Sequence, residues 1–325
     1  MCWLTLSRFK AEFYACRYAQ PMISVVVPTC NRPDDLKLVL KSIKEQDVKV
    51  EEIIIVDSSD FKIDLPKLGF DEILFQHVKV NIKSAAVQRN IGMDLVNPNS
   101  SYLCFLDDDV TPDSNYLSRL IDGLRQSGGI GISGIAVNPL KRDKMRLPPS
   151  GLFGFMQRLF LLDSNCDGKL LRSGVNIPVR KDSGVITKVD WLIGCSVWDF
   201  TKVKSLRFES DFMGVSLSED VIFSLRASTH GDLFVDPEVH LWHSESDIGR
   251  EKGAKFWEMW VVNRRRLVEI SAKSYPHFIQ FHLANLGQLL SLIYSGVKGK
   301  RLRQRIYLGI VMGYRTLYLP KKKKK

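Results

Sequence analysis

The sequence predicts an α/β fold built on a doubly wound, mostly parallel sheet with helices on both faces. Three short apolar runs, of which the first is rich in β-branched residues, alternate with segments of helical spacing along the first 110 or so residues. This alternation is typical of right-handed βαβ units, whose strands are parallel. The runs are almost continuously apolar, as strands are when helices cover both faces of a sheet.

The predicted elements follow one another in a regular order. In the first helical segment, Leu36, Val39, Leu40 and Ile43 share one face. Residues 139–187 are rich in Gly, Pro and charge and are predicted to form a variable excursion, a second organised block follows at 189–242, and the chain is helical after 251. The predicted strands are 23–27, 52–56, 73–80, 102–106 and 130–137, and the predicted helices are 32–44, 84–96 and 115–126.

We divide the chain into three parts on this pattern. They are an N-terminal extension (1–21), an α/β domain (22–250, with halves 22–112 and 113–250) and a basic helical region (251–325). The six cysteines form no Cys-x-x-Cys pair, which favours reduced thiols over disulfides or a zinc site. Charged residues interrupt the first 20 positions, and no apolar run reaches about 18 residues, so we expect a cytoplasmic chain without a spanning helix.

The net charge of +11 is concentrated at the C-terminus. From Ile270 to Lys325 there are eight Lys and four Arg but no Asp or Glu, and the same segment is rich in apolar residues. A basic amphipathic region is typical of binding to an anionic membrane surface. Nucleic-acid binding is the rival, but no nucleic-acid motif accompanies the charge. The edge of a solvated helical bundle and an oligomer contact also remain open.

Asp107, Asp108 and Asp109 end the third apolar run. Three adjacent carboxylates repel one another unless something positive neutralises them. Residues i and i+2 of a strand point the same way, so Asp107 and Asp109 can converge on one cation, and oxygen ligands suit Mg²⁺ or Mn²⁺. A solvated acidic turn or a helix N-cap is the alternative for the triplet alone.

Five segments together resemble the family 2 glycosyltransferases, which have the GT-A fold. They occur in the family order and span about residues 23–245. The segment FLDDD resembles the DxD motif of that family, and EDVIFSLR resembles its acidic catalytic motif. The segments are ISVVVPTCNR (23–32), IVDSS (55–59), SAAVQRNIG (84–92), FLDDD (105–109) and EDVIFSLR (219–226).

The resemblance implies a binding site for a nucleotide-sugar donor at the carboxyl ends of the strands. Asp57 would accept hydrogen bonds from the base or ribose, with an Asx turn as the alternative. Arg89 would lie over the base or diphosphate, with a salt-bridged helix face as the alternative. The donor-binding residues implied in this way are Thr29, Asn31, Arg32, Asp57, Lys83, Arg89, Asn90, Asp107 and Asp108.

The resemblance also implies a metal and a general base. Asp109 would bind Mg²⁺ or Mn²⁺ with support from Asp107, and His243 would be a further ligand, with His240 as its competitor. Asp220 would take the proton from the acceptor hydroxyl in an inverting transfer. Helix capping is an alternative role for Asp220 that is compatible with catalysis.

The segment WLIGCS (191–196) resembles the acceptor-side loop of the family. Gly194 would permit close approach of the sugar or acceptor, and Cys195 is its neighbour. Trp191 would stack on a sugar face, or alternatively belong to the core. Glu219 would shape the acceptor site.

We therefore expect an inverting, metal-dependent glycosyltransferase that uses a UDP- or dTDP-sugar. Its acceptor would be a hydroxyl of a glycan or lipid-linked glycan in cell-surface polysaccharide synthesis. The expected location is the inner face of the cell membrane, as a peripheral protein, and an oligomer is possible. A nucleotidyltransferase on a similar core is disfavoured because its Gly-rich, basic loop after the first strand is missing. An inactive glycan- or membrane-binding scaffold is disfavoured by the presence of Asp109 and Asp220.

Overall fold

A computed structural model describes most of the chain. The predicted N-terminal extension, apart from residue 21, lies outside the described residues, as do the first two positions of the predicted strand 73–80 and parts of the 139–187 excursion. The described residues are 21–69, 75–138, 148–180, 184–211, 218–244, 253–271, 277–294 and 300–319.

The described residues form one nine-stranded sheet. Its order is β3-β2-β1-β4-β8-β6-β9-β5, with β7 paired to β9 beside that path. Each strand predicted from the apolar runs is present. The strands are β1 (Ile23–Thr29), β2 (Glu52–Asp57), β3 (Phe75–Lys79), β4 (Tyr102–Phe105), β5 (Val110–Pro112), β6 (Gly131–Val137), β7 (Thr187–Val189), β8 (Ser196–Asp199) and β9 (Leu233–His243).

The two halves of the sheet differ in strand direction. All pairings among β1, β2, β3 and β4 are parallel, as predicted from the βαβ pattern. Beyond β4 the sheet is mixed, because β8 is antiparallel to both β4 and β6, while β6 and β9 are parallel. Along the chain, β8 follows β6 only after the long segment between residues 138 and 187 and the short strand β7.

Helices cover both faces of the sheet. The first of them begins with Pro33 and places Asp34 and Asp35 in its first turn, where carboxylates are favourable beside the helix N-terminus. The third ends at Gly128, whose φ of 66° forms a left-handed cap. The helices of the α/β domain are α1 (Pro33–Lys44), α2 (Ala85–Leu95), α3 (Tyr116–Ser127), α4 (Gly151–Leu159), α5 (Phe200–Val203) and α6 (Glu219–Ala227).

Strand β1 separates two apolar layers. Val25 and Val27 point into the layer that contains α1, whereas Val26 points into the layer that contains α2. All seven residues of β1 are buried, which is what a strand covered on both faces requires. This central strand fixes the position of the polar residues that follow it.

Three further helices form the predicted C-terminal helical region. They pack around a small apolar core of their own, made by Val261, Val268, Phe281, Ile306 and Ile310. No helix in the described ranges is both long and apolar enough to cross a bilayer. The three helices are α7 (Ala254–Ser271), α8 (His277–Tyr294) and α9 (Lys300–Tyr318).

Helix α2 approaches the sheet most closely at Gly92, where an added Cβ would overlap Cγ1 of Val26. We expect Gly92→Ala to lower the free energy of unfolding by about 1–3 kcal/mol, the usual cost of overfilling a packed core. Val26→Ala alone should also destabilise, through a cavity. The double variant should lose less than the sum of the two, because the smaller side chain makes room for the added methyl. Urea denaturation of the four proteins measures this coupling, and strictly additive losses would contradict the close approach.

Candidate active site

The candidate site lies where the order of the strands reverses. From β1 the chain proceeds outward through β2 to β3, and β4 then pairs with the other side of β1. Ligands of such sheets bind in the crevice outside the carboxyl ends of the strands at this point. Residues following β1, β2 and β4 meet there, as the sequence predicted.

The three strand-end aspartates each contact a different basic side chain. Asp107 Oδ1 lies 2.5 Å from Arg89 Nη2, Asp108 Oδ1 lies 2.8 Å from Arg32 Nη1, and Asp109 Oδ1 lies 3.1 Å from His243 Nε2. The mutual repulsion expected from the sequence is thus relieved within the protein itself.

Asp108 points into the protein. Its Oδ2 accepts a hydrogen bond of 2.8 Å from Thr29 Oγ1, and its other oxygen pairs with Arg32. Burial raises the pKa of Asp108 to about 6, although the charge of Arg32 opposes this shift. Asp108, Thr29 and Arg32 therefore tie the end of β4 to the end of β1, and Asp108 contributes to the site through this link.

Asp57 is fully buried at the end of β2. Its Oδ1 accepts from the backbone N–H of Ser59 at 2.7 Å, the Asx-turn contact that was the alternative reading, and its Oδ2 lies 3.3 Å from His77 Nε2 and 3.2 Å from Lys79 Nζ. Burial by itself would raise the pKa of Asp57, but the hydrogen bonds from His77, Ser59 and Lys79 outweigh it and lower the pKa to about 2. Asp57 is thus held in its ionised form by donors of the protein itself, and its contact with a nucleoside stays a prediction.

The partners of Asp57 were missed in the sequence. Lys79 stands directly opposite Asp57 in the β2–β3 register, and His77 lies two residues earlier on the same face of β3. Two basic residues spaced by two in a predicted strand were the signal that could have revealed them.

Asn31 shapes the loop after β1. Its φ of 60° is left-handed, a conformation that asparagine tolerates better than most residues. Its side chain exchanges two hydrogen bonds of 2.8 Å with Asp60, which in turn pairs with Lys83 at 2.6 Å. Asn31 and Lys83 are thus brought together on the exposed rim of the crevice.

Arg89 is a deeply buried cation of the site. Its Nη2 donates to Asp107 on the strand end, and its Nη1 donates to Glu219 at the start of α6. Burial works against the charged form, but the charges of Glu219 and Asp107 outweigh it and raise the pKa of Arg89. One guanidinium therefore joins the DDD triplet to the acidic helix start, which are over 100 residues apart in the sequence.

Two stacked phenylalanine rings pack beneath the guanidinium of Arg89. The guanidinium carbon lies 5.4 Å from the centre of the Phe208 ring, and Phe208 stacks on Phe223 of α6 at 4.2 Å. Asn90 holds Phe208 in place, since its amide donates to the Phe208 carbonyl at 2.9 Å and accepts from its N–H at 2.7 Å. Asn90 therefore acts on the site through Phe208, which sequence reasoning also missed.

Gly194 and Cys195 come just before β8 and lie beside the Arg89–Asp107 pair. A Cβ at Gly194 would lie 2.9 Å from Arg89 Nη2 and 3.7 Å from Asp107 Oδ1, so only glycine fits without moving the pair. The backbone N–H of Asp107 points at Cys195 Sγ at 3.4 Å. Gly194 thus lies against the Arg89–Asp107 pair, and the close approach of a sugar or acceptor at this position stays a prediction.

Asp220 follows Glu219 in the first turn of α6. Burial raises its pKa to about 6, while a 2.8 Å hydrogen bond from its own neighbour Val221 N–H and the charge of Arg89 favour the ionised form. Ser218, the residue before the pair, has a left-handed φ of 76°, and its side chain accepts no capping hydrogen bond from α6. A carboxyl with a pKa near neutrality is suited to accepting a proton.

Asp109 and His243 are brought together by the pairing of β5 and β9, in which Val110 lies opposite His243. His240 lies three residues earlier on β9, so its side chain points to the other face of the strand. Of the two candidates, His243 is therefore the one that reaches Asp109. Ser244 fixes this junction by donating to the Asp109 carbonyl from both its N–H and its hydroxyl, at 3.0 and 2.8 Å.

The fit of a divalent cation rests on this pair. No group of three or more His, Cys, Asp and Glu side chains arranged to hold a metal occurs within the described ranges. Asp109 Oδ1 and His243 Nε2, however, are 3.1 Å apart, close to the separation of about 3 Å expected for neighbouring ligand atoms of an octahedral ion bound at about 2.1 Å. Mg²⁺ and Mn²⁺ sites commonly take only one or two protein ligands together with substrate phosphates. The residues present therefore fit such an ion.

Trp191 belongs to the core. Its ring is buried against Val221, Ile222 and Leu267, and its indole N–H donates to the Ile177 carbonyl at 3.1 Å. These contacts favour the core alternative over stacking on a sugar. Trp191 therefore packs against α6 in the core, through Val221 and Ile222.

The bridge made by Arg89 gives a stability prediction. We expect Arg89→Met to lower the free energy of unfolding by about 3–5 kcal/mol, because it leaves Glu219 buried without its cation. Arg207→Met is the matched control: Arg207 also pairs with an aspartate at 2.5 Å, but on the surface, where such pairs contribute about 0–1 kcal/mol. Chemical denaturation distinguishes the two, and equal losses would contradict a special role for Arg89.

Part of the chain is similar to a known family. Residues 24–169 match the family described as glycosyl transferase family 2. No curated protein matches the chain in sequence.

Solved structures resemble the chain in fold. The mannosyltransferase PcManGT from Pyrobaculum calidifontis, in complex with GDP-Man and Mn²⁺, is 14% identical with a TM-score of 0.56, and the match covers 98% of each chain. S. aureus TarS is 13% identical with a TM-score of 0.53 over 92% of this chain, which spans about half (49%) of that TarS chain. TarS 1–349 in complex with UDP-GlcNAc is 13% identical with a TM-score of 0.50, covering 86% of this chain and 74% of that one. The family match thus covers residues 24–169, somewhat under half of the chain, and the whole architecture is the GT-A fold that these solved glycosyltransferases share.

Proposed function

We propose that the protein is an inverting, metal-dependent glycosyltransferase that moves a sugar from a nucleoside diphosphate donor to a hydroxyl of a glycan or lipid-linked glycan. The observation that carries this proposal is the bridge of Arg89 between Asp107 and Glu219. It joins the end of the nucleotide-binding half to the helix that bears Asp220, so the donor side and the proton acceptor belong to one site.

The crevice has a buried acid at the end of β2 and polar side chains on its rim, and we assign different parts of the donor to them. Asp57, ionised and buried at the end of β2, is suited to accept hydrogen bonds from the N–H or O–H groups of a nucleoside. Lys83 and Asn31 on the rim are suited to the approaching diphosphate. The neighbours in complex with UDP-GlcNAc and GDP-Man support a nucleotide-sugar donor, and we extend the candidates from UDP- and dTDP-sugars to GDP-sugars.

Asp109 and His243 would hold the divalent cation, with Asp107 near the nucleotide. The Mn²⁺ in the mannosyltransferase complex supports a metal of this kind. When bound, the ion supplies Lewis-acid stabilisation of the negative charge on the departing diphosphate. Arg32, 3.4 Å from Asp109 Oδ2, keeps the other oxygen of that carboxylate oriented.

Asp220 would act as the general base. In an inverting transfer the acceptor oxygen attacks C1 of the sugar, the bond from C1 to the diphosphate oxygen breaks, and the carboxylate takes the hydroxyl proton. The diphosphate leaves with the bonding electron pair. Arg89 positions this step, because it holds Glu219, the residue before Asp220, against the strand end.

We further propose that the protein is peripheral on the inner face of the cell membrane, where a lipid-linked acceptor in cell-surface polysaccharide synthesis would be presented. The excess of Lys and Arg after Ile270 supports this location. Exposed apolar residues on α8 and α9, such as Ile279, Ile293 and Leu308, support it further.

A donor panel tests the activity and its metal. With Mn²⁺ present we expect slow hydrolysis of one member of a panel of UDP-, dTDP- and GDP-sugars, and loss of that hydrolysis on adding EDTA. Asp109→Ala and His243→Ala should each weaken metal activation, at least tenfold for Asp109→Ala, because each removes a ligand. Asp64→Ala, at an exposed carboxylate paired with Lys67, is the control and should leave turnover unchanged. A silent panel, or full activity of Asp109→Ala, would overturn the proposal.

The pH dependence tests Asp220. A base must be deprotonated to work, so kcat/KM for transfer should fall about tenfold per pH unit below a pKa of about 6. Asp220→Asn should lose transfer by about 100-fold or more while binding the donor as wild type, because the amide cannot accept the proton. Calorimetric donor titration and initial rates measure the two properties. Transfer retained by Asp220→Asn would assign the proton to another group.

A further inference from the structure

A groove of about 520 Å³ runs between α8 and α9, away from the candidate active site. Its walls are apolar, with Leu286 and Leu289 from α8 and Ile310 and Val311 from α9. Leu286 and Val311 are exposed, at 49% and 37% of their full accessible area. This volume is within the range of sites that hold a small molecule or part of a lipid.

One end of the groove is polar. Tyr314 O–H lies 2.8 Å from His282 Nδ1 and accepts from Asn285 Nδ2 at 3.2 Å. Arg315, the residue after Tyr314, also lines the groove and is exposed. The groove is therefore amphipathic along its length, with an apolar stretch and a hydrogen-bonding, positively charged end.

A buried cation lies beneath that polar end. Arg264 is 2% exposed, and its Nη2 donates to Asn285, which lines the groove. Its guanidinium carbon lies 3.8 Å from the centre of the Trp260 ring, whereas its Nε and Nη1 have no hydrogen-bond acceptor among the described residues. No carboxylate in the described part of the chain pairs with it at salt-bridge distance. A buried charge without a counterion is costly, so a bound anion nearby would stabilise this region.

The helices themselves carry only positive charge. Neither α8 nor α9 contains Asp or Glu, while α9 contains one Lys and four Arg. Any ligand of the groove therefore meets a positive field at the groove and around it. An anionic amphiphile is the class of molecule that complements both the apolar walls and this charge.

The apolar surface continues beyond the groove. On α8, Ile279 and Ile293 lie seven residues on either side of Leu286 and are likewise exposed. Helix α4 packs on α8, since a Cβ at Gly287 would overlap Phe160, and α4 leaves Leu152 and Phe155 exposed. Exposed apolar surface joined to a groove in this way suits a ligand that is delivered from a membrane.

We propose that the groove between α8 and α9 binds one chain of an anionic membrane lipid, with the chain against Leu286 and Val311 and the headgroup at Arg315. The inference rests on the membrane location in the proposed function but not on the glycosyl transfer. The groove would thus be a defined binding site for one lipid, in addition to the general attraction of the basic helices for an anionic surface.

The test uses the full chain and cis-parinaric acid, a fluorescent single-chain carboxylate. Leu286→Trp combined with Val311→Trp fills the groove while keeping its surface apolar. The matched control is Ile293→Trp combined with Leu308→Trp, two exposed residues (78% and 42%) of the same helices that do not line the groove. We expect the groove variant to raise the Kd of the probe at least tenfold and the control to change it less than twofold, with both proteins melting like wild type.

The headgroup is tested separately. Arg315→Gln should raise the Kd of parinaric acid about fivefold and leave that of its methyl ester unchanged, because only the acid carries the charge. Phosphatidylglycerol should displace the probe, whereas phosphatidylcholine and inorganic phosphate at millimolar concentration should not. Displacement by inorganic phosphate alone would indicate a site for a free anion and overturn the lipid assignment.

The remaining outcomes are decisive as well. No probe binding by wild type, or equal loss in the groove and control variants, would overturn the proposal. Light scattering tests whether the groove instead binds a second copy of the chain. That alternative would be indicated if wild type is a dimer, the groove variant is a monomer, and lipid changes neither state. Donor hydrolysis should be unaffected in the groove variant, so a failure of the glycosyltransferase proposal would be seen separately, in the donor panel.

Discussion

The site depends on a single buried guanidinium with two carboxylates. Arg89 is held on α2, but its partners come from the end of β4 and the start of α6. A guanidinium offers several donors in a fixed plane, so it can bind two carboxylates at once in a way that an ammonium group cannot. Burial makes each of these contacts strong and makes the loss of either one costly. Phe208 packs below the guanidinium, and Gly194 lies beside it. The end of β4 and the start of the helix that bears Asp220 are therefore joined by electrostatics as well as through the sheet.

Carboxylates are also paired with basic side chains in the triplet Asp107–Asp109. Each of the three carboxylates has its own basic neighbour: Arg89, Arg32 and His243. Only Asp107 is substantially open to the crevice, with 34% of its side chain exposed. The middle residue, Asp108, points inward and ties two strands together. The argument from repulsion required positive charge near the triplet, and Arg89 and Arg32 supply such charge from within the protein.

Local patterns predicted the parallel half of the fold and the places where the polar residues lie. Apolar runs identified β1, β2 and β4, and the residues that follow them do meet in one crevice. The mixed half of the sheet was harder to predict from the sequence. Strand β8 lies between β4 and β6, but it follows a long segment in which the apolar residues have no regular spacing. The contacts of Arg89 with Glu219 and of Asn90 with Phe208 cross more than 100 residues, and no local signal encodes such pairings. Asp57 was predicted correctly as a strand-end acid, whereas its partners His77 and Lys79 depended on the register between β2 and β3.

The position of β8 has a consequence for how the protein can be divided. The segment that matches the family ends at residue 169, before β8 begins. A fragment cut there would leave the backbone groups of β4 unpaired along one side, and such open strands readily recruit other chains. The same cut would remove Glu219 and leave Arg89 buried with Asp107 alone. The limit of detectable sequence similarity is therefore not a limit at which the chain can be expected to fold, and a usable fragment must extend at least through β9.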